Sequence, residues 1–531
     1  MRTSLDIDGF RDACAAHAGD ARTLLVPLSV RLMGDQLTPV IAYRRLVARD
    51  ERTAPSFLFE SVEGGDRVGR HSLLGANPRV EVAARAHEVT VTDRTGDAVR
   101  TETLTADDPM GVLTERSRRF LLVDAGDHRL PPALLGGWVG YASYDTVRYT
   151  EPERLPFDGA PTDDRGLPDL HYALYDETVV FDQVAKIVHA TVLARVAPGA
   201  DIDAAYRDAS ERLARLVDRL EDHAARPLRS GRADTERGSG DVTSNLTRDE
   251  HARMVERAKE YIRAGDVFQV VLGQRFERVS RVDPFEVYRA LRVVNPSPYM
   301  VYLQAPGCIL VASSPEILCR VKKEDAGAPV VTNRPLAGTR RRSDDAAEDR
   351  RLEEELLADQ KERAEHVMLV DLGRNDVGRV AMPDSVRLDS VMEIERYSHV
   401  MHISSTVTGR LRDGLDAWDA LRSTLPVGTI SGAPKVRAMQ VIDELETVRR
   451  GPYGGGFGWV ALTGEMDVAL ALRTIVVPTA RHTDDGWTYH LQASGGIVFD
   501  SEAGAEYEET RNKAAAMVRA IDLAESAFDP V

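Results

Sequence analysis

Cysteine is scarce. The 531-residue chain has three, Cys14, Cys308 and Cys319, and none of their spacings is Cys-x-x-Cys or another metal pattern. A disulfide framework and a thiolate metal centre are therefore set aside, and each thiol reads as a small buried apolar residue in a reducing compartment. Long apolar runs are missing too. No uninterrupted stretch reaches membrane-spanning length, and the acidic opening MRTSLDIDGFRD lacks the apolar core of a signal peptide. Positive charge is in deficit. The formal net charge of −17 argues against nucleic acid or an anionic membrane as the main partner. A soluble, cytoplasmic protein is expected, with local basic pockets for a small acidic substrate still open. Several catalytic signatures are absent as well. Gly454 to Gly458 lacks the Gly-x-Gly-x-x-Gly spacing of a dinucleotide fold, and GTISGAPK fails as a P-loop. There is no Gly-x-Ser-x-Gly elbow and no Gly-x-Cys-x-Gly turn, which argues against covalent acyl chemistry.

What is present points to a large mixed protein. At this length a single core stops growing, so two domains or one very large one are expected. Strand-like runs at Leu24–Leu32, SFLFESV, GGWVGYASYD and HYALYDETVVFDQVAKIVHATVLARV lead to a helix from Ile202 to about Leu220, whose apolar residues follow a 3.6 period. The stretch 226–245, RPLRSGRADTERGSGDVTSN, holds almost nothing that could enter a core and reads as a linker. Thr247 to Glu250 then fits a capping box, opening a helix that Gly265 should stop. Further strands, the turn GTISGAPK and a last helix from Glu502 to about Ala524 follow. Runs of strands separated from runs of helices predict an α+β protein of large antiparallel β-sheets covered by helices. The expected division is 1–225, a linker at 226–245, and 246–531.

One stretch, Ala358 to Arg379, sets Glu362, Glu365 and His366 on one helix face, with a polar run from Asp371 to Asp376 behind them. Glu506 and Glu509 repeat the Glu-x-x-Glu spacing near the C-terminus. Two such helices can supply carboxylates to a hard divalent ion such as magnesium, although a Glu-rich helix face is more commonly just solvated. Singly, Thr339, His402 and Arg473 also read as ordinary turn, core and surface residues.

Taken in order, PSPYM, ASSPE, PLAGTRRR, EHVMLVDLGRND, YSHVMH, GTISGAPKVRAMQ, GPYGGGFGW, ALRTI and EETRNKA resemble the large subunits of anthranilate synthases, within the chorismate-utilising enzymes. The resemblance covers essentially all of 246–531 and extends to LFES in the first part. It implies a two-domain body of antiparallel sheets flanked by helices, with a regulatory N-terminal and a catalytic C-terminal domain. It implies Glu365 and Glu509 as Mg2+ ligands, with Glu362 and Glu506 in support and His366 structural. Gly338, Thr339, Tyr453, Arg473, Ser494, Gly495 and Gly496 fall on chorismate-binding positions, the last three in place of the commoner Gly-Ala-Gly. Glu316 resembles the general acid for loss of the 4-hydroxyl when ammonia adds to ring carbon 2, and His402 the histidine of the pyruvate-elimination step. Ser61, Pro298, Tyr299 and Met300 match a feedback site for L-tryptophan. Sister activities place a lysine where this chain has Ala337 or Gln269, so an amine nucleophile and anthranilate are favoured over water. No glutaminase motif is present, which implies a separate glutamine amidotransferase small subunit, in a heterotetramer, as the ammonia source. Two other readings stay open: a synthase that stops at the amino-isochorismate, and a silent amino-acid-binding regulatory subunit.

Overall fold

Many strands of this chain are apolar without alternation, as a strand covered on both faces must be. Every residue of Gly137–Ala142, Leu170–Tyr175, Cys308–Ser314 and Thr474–Pro478 is buried. The computed structural model describes residues 3–528, apart from 49–50, 52–53, 62–69, 97, 125–129, 132, 224–227, 229, 233–239, 325–326 and 398–399. The turn at Gly64-Gly65 and much of the 226–245 linker lie outside the described residues.

The strands form two large sheets, antiparallel throughout except where Phe120–Leu122 runs parallel to Thr23–Met33. The first sheet has thirteen strands. It runs from Thr243–Ser244 through Gln269–Ser280, Trp487–Ile497 and Cys308–Ser314 to Tyr299–Ala305, which pairs with Ser56–Glu60 and continues into strands of the first part. The second sheet has twelve. It runs from Leu336–Arg341 through Val400–Arg410 to Gly456–Ala461, which pairs with Gly137–Ala142 and ends at Arg100–Thr105. Both sheets thus take strands from each side of the 226–245 stretch. The α+β class stands, with both large sheets flanked by helices.

Glycine makes the second seam possible. Gly140 lies opposite Gly458 in the register. Across the seam, a Cβ at Gly137 would lie 2.5 Å from the Val460 carbonyl oxygen, and one at Gly455 would lie 2.1 Å from that of Ala142. No side chain fits in either gap.

One core lies between the sheets, where Phe57, Val301 and Leu310 of the first meet Val139, Tyr141 and Phe457 of the second. The outer faces are covered by helices. Ile202–Glu221, Pro284–Val294 and Ala503–Phe528 pack on the first sheet, Gln360–Gly378 and Ala417–Thr424 on the second. The expected helix at Thr247 forms as Arg248–Ala264 with a complete capping box and a left-handed Gly265 at its end. The polar run Asp371–Asp376 continues the Gln360–Gly378 helix, which begins afresh because the Asp359 carboxylate accepts from the Lys361 and Glu362 N–H groups. The Lys435–Leu445 helix stops short of Arg449. Just beyond it, Glu446 and Arg450 turn inward as a buried ion pair at 2.6 Å, and Arg450 also donates to the Ile430 and Val271 carbonyls. The polar N-terminal stretch, which gave no periodic signal, holds a short helix, Ile7–Ala15.

A buried charge cluster ties the two parts of the chain together. The Arg148 side chain, 1 % exposed, donates to Asp145 at 2.9 Å and makes a bidentate pair with Asp443 at 2.8 and 2.9 Å. Removing the cation strands two carboxylates, one of them fully buried. Arg148→Met should therefore cost about 3–5 kcal/mol, read as an earlier midpoint in urea unfolding; an unchanged midpoint refutes this role.

Candidate active site

The sequence candidates gather where the two sheets and two helices meet. On the second sheet, Leu336–Arg341 breaks register with Val400–Arg410 between Ala337 and Arg340. Gly338 takes φ +65° in that irregularity, a conformation that suits glycine. Its carbonyl thereby comes within 2.8 Å of His402 Nδ1, and the Thr339 hydroxyl lies 3.1 Å from the same nitrogen. A carbonyl can only accept, so Nδ1 carries the proton and Nε2 the lone pair. Nε2 is buried and has no hydrogen-bond partner among the described residues. Burial, followed by the nearby Arg473 cation, pushes the imidazole down to about 4, the Gly338 bond only partly opposing. His402 is a neutral base at pH 7.

Glu316 sits in the turn after Cys308–Ser314 and is 4 % exposed. Its Oε1 accepts from the Thr429 hydroxyl at 3.2 Å. Burial raises the carboxyl to about 8 despite that bond and one from the Leu336 N–H. The usual order of the two groups is reversed: at neutral pH the carboxylic acid holds its proton, and the imidazole keeps the one on Nδ1 without taking up a second. Glu395, paired across the strands with His402, acts on both, holding up the Glu316 carboxyl and partly supporting protonation of His402.

A continuous line of contacts joins this pair to the remaining candidates. A Cβ on Gly338 would lie 3.3 Å from Glu362 Oε2. Burial, and next the neighbouring Glu365, raises the Glu362 carboxyl, while Arg340 stands 3.5 Å from it. Glu365, one turn on, accepts from Gln269 Nε2 at 3.0 Å. That same nitrogen lies 2.5 Å from where a Gly496 Cβ would be, and a Cβ on Gly495 would lie 2.9 Å from Glu506 Oε2 and 3.7 Å from Glu509 Oε1. Glu509 pairs with Lys513 at 2.6 Å, and Lys513 also donates to the Ser494 carbonyl at 3.0 Å. Ser494 Oγ meets the buried Tyr453 hydroxyl at 2.5 Å. Arg473 holds a left-handed φ of 45°, rare for a residue with a side chain. Its carbonyl accepts from the Ser313 N–H at 3.2 Å.

The two Glu-x-x-Glu helices therefore border one glycine strand. Among the described residues, however, no three His, Cys, Asp or Glu side chains are closed into a cluster able to hold a metal ion. The donor set nevertheless suits magnesium. Carboxylate oxygens are hard ligands, Glu506 Oε2 is buried without a hydrogen-bond partner among the described residues, and the bare Gly495 leaves the space in front of it open. His366 takes no part; it is fully buried and meets Ser405 Oγ at 2.7 Å.

Four contributors went unrecognised in the sequence. Thr429 lay in what read only as a turn, and Gln269 was weighed for a missing lysine rather than as a holder of Glu365. Lys513 stands four residues after Glu509, a spacing that could have revealed it. Glu395 carried no local signal at all.

The residues of the second predicted group also lie close together. Ser61, Pro298, Tyr299 and Met300 all line one cavity of about 340 Å³ between the sheets. Met300 pairs with Glu60 in the register, and opposite them Arg320 and the Tyr299 hydroxyl both bind Asp467, each at 2.9 Å.

Residues 55–519 match the family of chorismate binding enzymes. The chain is 53 % identical over 523 residues to a protein of Oryza sativa subsp. indica named anthranilate synthase alpha subunit 1, chloroplastic, covering 95 % of this chain and 89 % of that one. It is 46 % identical to the anthranilate synthase component 1 of Thermus thermophilus, covering 94 % and 98 %. The crystal structure of anthranilate synthase component I from Streptococcus pneumoniae superposes with a TM-score of 0.68 at 34 % identity, covering 92 % of this chain and 99 % of that one.

The raised Glu316 carboxyl gives a stability test. The folded chain keeps this proton up to about 8, whereas an ordinary glutamate releases it near 4.5. Between those values the folded state binds more protons, so this group makes stability fall as pH rises. Glu316→Gln should flatten that fall, measured as urea midpoints from about pH 5 to 8.5 against wild type. Parallel curves for the two proteins would remove the assignment.

Proposed function

The chain belongs to the family of chorismate binding enzymes, and on that premise we propose that it converts chorismate and ammonia to anthranilate and pyruvate. The observation that carries this reading is the reversed pair: a buried Glu316 that stays protonated and a buried His402 that stays neutral with Nε2 free. The reaction needs both. As ammonia bonds to ring carbon 2, the 4-hydroxyl leaves as water and requires a proton, which Glu316 donates. The lone pair on His402 Nε2 then takes the proton from ring carbon 2 as the ring C–O bond to the enolpyruvyl group breaks and the ring becomes aromatic, and the departing enolpyruvate takes up a proton at its methylene carbon to become pyruvate.

Arg473 offers a cation to a substrate carboxylate, and Tyr453, Ser494 and the bare strand Gly495-Gly496 bound the ring space. Glu365 and Glu509 would hold Mg2+, with Glu362 and Glu506 behind them. The ion supplies neutralisation of the substrate's ring carboxylate and fixes its position. The activity is that of a magnesium-dependent lyase. Ammonia comes from a glutamine amidotransferase small subunit, in a heterotetramer, in the cytoplasm, for tryptophan biosynthesis. L-Tryptophan binds the cavity of Ser61 and Tyr299 and inhibits by favouring a state with poorer chorismate affinity. Release of an amino-isochorismate would leave the His402 base without a task, and a silent regulatory subunit would not need the reversed pair.

Incubation of the purified chain with chorismate, magnesium and ammonium should yield anthranilate and pyruvate, seen by fluorescence and mass. Amino-isochorismate without pyruvate, or no turnover, would sink this reading. Glu365→Gln and Glu509→Gln should each lower magnesium-dependent turnover at least about a hundredfold with circular dichroism unchanged; activity near wild type in either variant would remove that residue from the cation site. Ser61→Arg, which fills the second cavity, should relieve inhibition by tryptophan. Indifference of the wild-type enzyme to millimolar tryptophan would refute the regulatory proposal.

A further inference from the structure

Arg450 is a large cation almost wholly out of water. Its side chain is 1 % exposed, and it stands three residues before Tyr453. Burying a guanidinium is costly unless its donors are met, so its partners show what it holds. Nε and Nη2 donate to the two Glu446 carboxylate oxygens at 2.9 and 2.6 Å. Nη1 donates to the Ile430 carbonyl at 2.6 Å, and Nη2 also reaches the Val271 carbonyl at 2.7 Å. Glu446 in turn accepts from the Gly273 N–H at 2.9 Å. The Tyr144 ring lies against the guanidinium, its centre 4.6 Å away.

Part of this contact set does the work of a neighbouring strand. One side of Gln269–Ser280 is paired with Trp487–Ile497 from Val270 onward. The other side meets Gly432–Ala433 at Gln269 and Val270, and Thr243–Ser244 at Phe276 and Glu277. In the interval between those two short strands, the Val271 carbonyl and the Gly273 N–H are met by side chains. Left unmet, a buried backbone group of either kind is destabilising. Arg450 supplies the donor and Glu446 the acceptor. Across the ladder Val271 faces Gly496 and Gly273 faces Ser494. The ion pair therefore fixes the strand directly behind the glycine wall of the proposed substrate space.

The same guanidinium holds the turn that serves the acid. Gly428–Ser431 is a single helical turn, and the end of such a turn leaves carbonyls without intrahelical partners. Arg450 satisfies the one on Ile430. The residue before Ile430 is Thr429, whose hydroxyl donates to Glu316 Oε1 at 3.2 Å. Around Arg450 the main chain is itself pinned. Arg165 donates to the Arg449 and Arg450 carbonyls at 3.0 and 2.8 Å, and the Gly451 N–H donates to Asp145 at 3.3 Å. The guanidinium thus projects from a fixed base, and the turn rests on it.

We propose that Arg450, paired with Glu446, is a positioning residue: it clamps the Thr429 turn to the strand behind Ser494–Gly496 and so sets the Thr429 hydroxyl on the Glu316 carboxyl. The inference rests on the reading of Glu316 as the proton donor. None of the hydrogen-bond partners of Arg450 is a residue proposed to touch substrate, so its influence on the chemistry passes through Thr429. A lysine cannot replace it, because one ammonium does not reproduce a planar fork that spans a carboxylate and two carbonyls.

The test is a double-mutant cycle in the full-length chain with magnesium and saturating ammonium, read as consumption of chorismate. Arg450→Lys keeps a positive charge beside Glu446, and Thr429→Val removes the hydroxyl. Each should lower kcat about tenfold or more, with KM for chorismate within about threefold of wild type. The two substitutions together should be about as slow as the slower one alone, because both remove the same contact. Losses that multiply in the combined variant, or a wild-type kcat in Arg450→Lys, would overturn the proposal. Circular dichroism checks folding. If Arg450→Lys does not fold, Arg450→Met with Glu446→Met takes its place in the cycle, since it leaves no lone buried charge. If wild type consumes no chorismate, the reading of the activity fails and stability decides the positioning. The Thr429 bond lowers the Glu316 carboxyl, which burial has raised to about 8. Loss of that bond should let the fall of the urea midpoint with rising pH run on to higher pH in Arg450→Lys than in wild type. A fall that ends at the same pH in both proteins would overturn the proposal.

Discussion

Everything functional here depends on two seams where strands from the two parts of the chain pair. In one, Ser56–Glu60 lies against Tyr299–Ala305; in the other, Gly137–Ala142 lies against Gly456–Ala461. The second seam closes over glycines, since a Cβ at Gly137 would collide with Val460 and one at Gly455 with Ala142. The first borders the cavity of Ser61 and Tyr299. From Tyr299–Ala305 the chain crosses directly to Cys308–Ser314 and then to Glu316. One hairpin of packed, hydrogen-bonded strands therefore joins the first seam to Glu316. The proposed regulatory cavity and the proposed chemistry share a sheet, which gives a physical route for one to bias the other.

Within the site, burial does what local charge alone would not. An exposed glutamate and histidine at pH 7 would be a base and a near-neutral imidazole. Taking both out of water penalises both charged forms, and this inverts the order in which the two groups take up a proton. Glu395, paired with His402 across the strands, is held by the Tyr397 hydroxyl at 2.6 Å and by Arg334. The result is a pair that needs no charged state at rest.

Much of this was legible in the sequence because it is local. Glu-x-x-Glu spacing, the Thr247 capping box and the Pro298–Met300 strand entry are patterns that neighbouring residues complete among themselves. The motifs, taken in order, also named the Glu316, His402 and Arg473 positions, and the structure brings them together. What stayed hidden depends on residues far apart in the chain. Gln269 reaches Glu365 across 96 positions, Thr429 reaches Glu316 across 113, and Lys513 joins Glu509 to a carbonyl 19 residues back. The sheet continuity was equally invisible, since a linker-like stretch at 226–245 signals a break in the chain, not a break in the hydrogen-bonded ladders.

The acidity of the chain poses a final problem that its geometry answers. Glu362, Glu365, Glu506 and Glu509 crowd the space where a dianionic substrate is proposed to sit. Glu362 and Glu506 are both pushed upward, by burial first and then by their glutamate neighbours. Without a counterion, the anion and the carboxylates repel. Lys513 meets part of this demand at Glu509, and Gln269 offers Glu365 an amide hydrogen rather than a charge. A lysine at position 269 would neutralise Glu365 and compete with a divalent ion for it. An uncharged amide leaves that carboxylate's full charge available to the metal. Under the proposed assignment the glutamine would do two things at once: withhold a base from water, and leave the charge by which a cation would link enzyme and substrate.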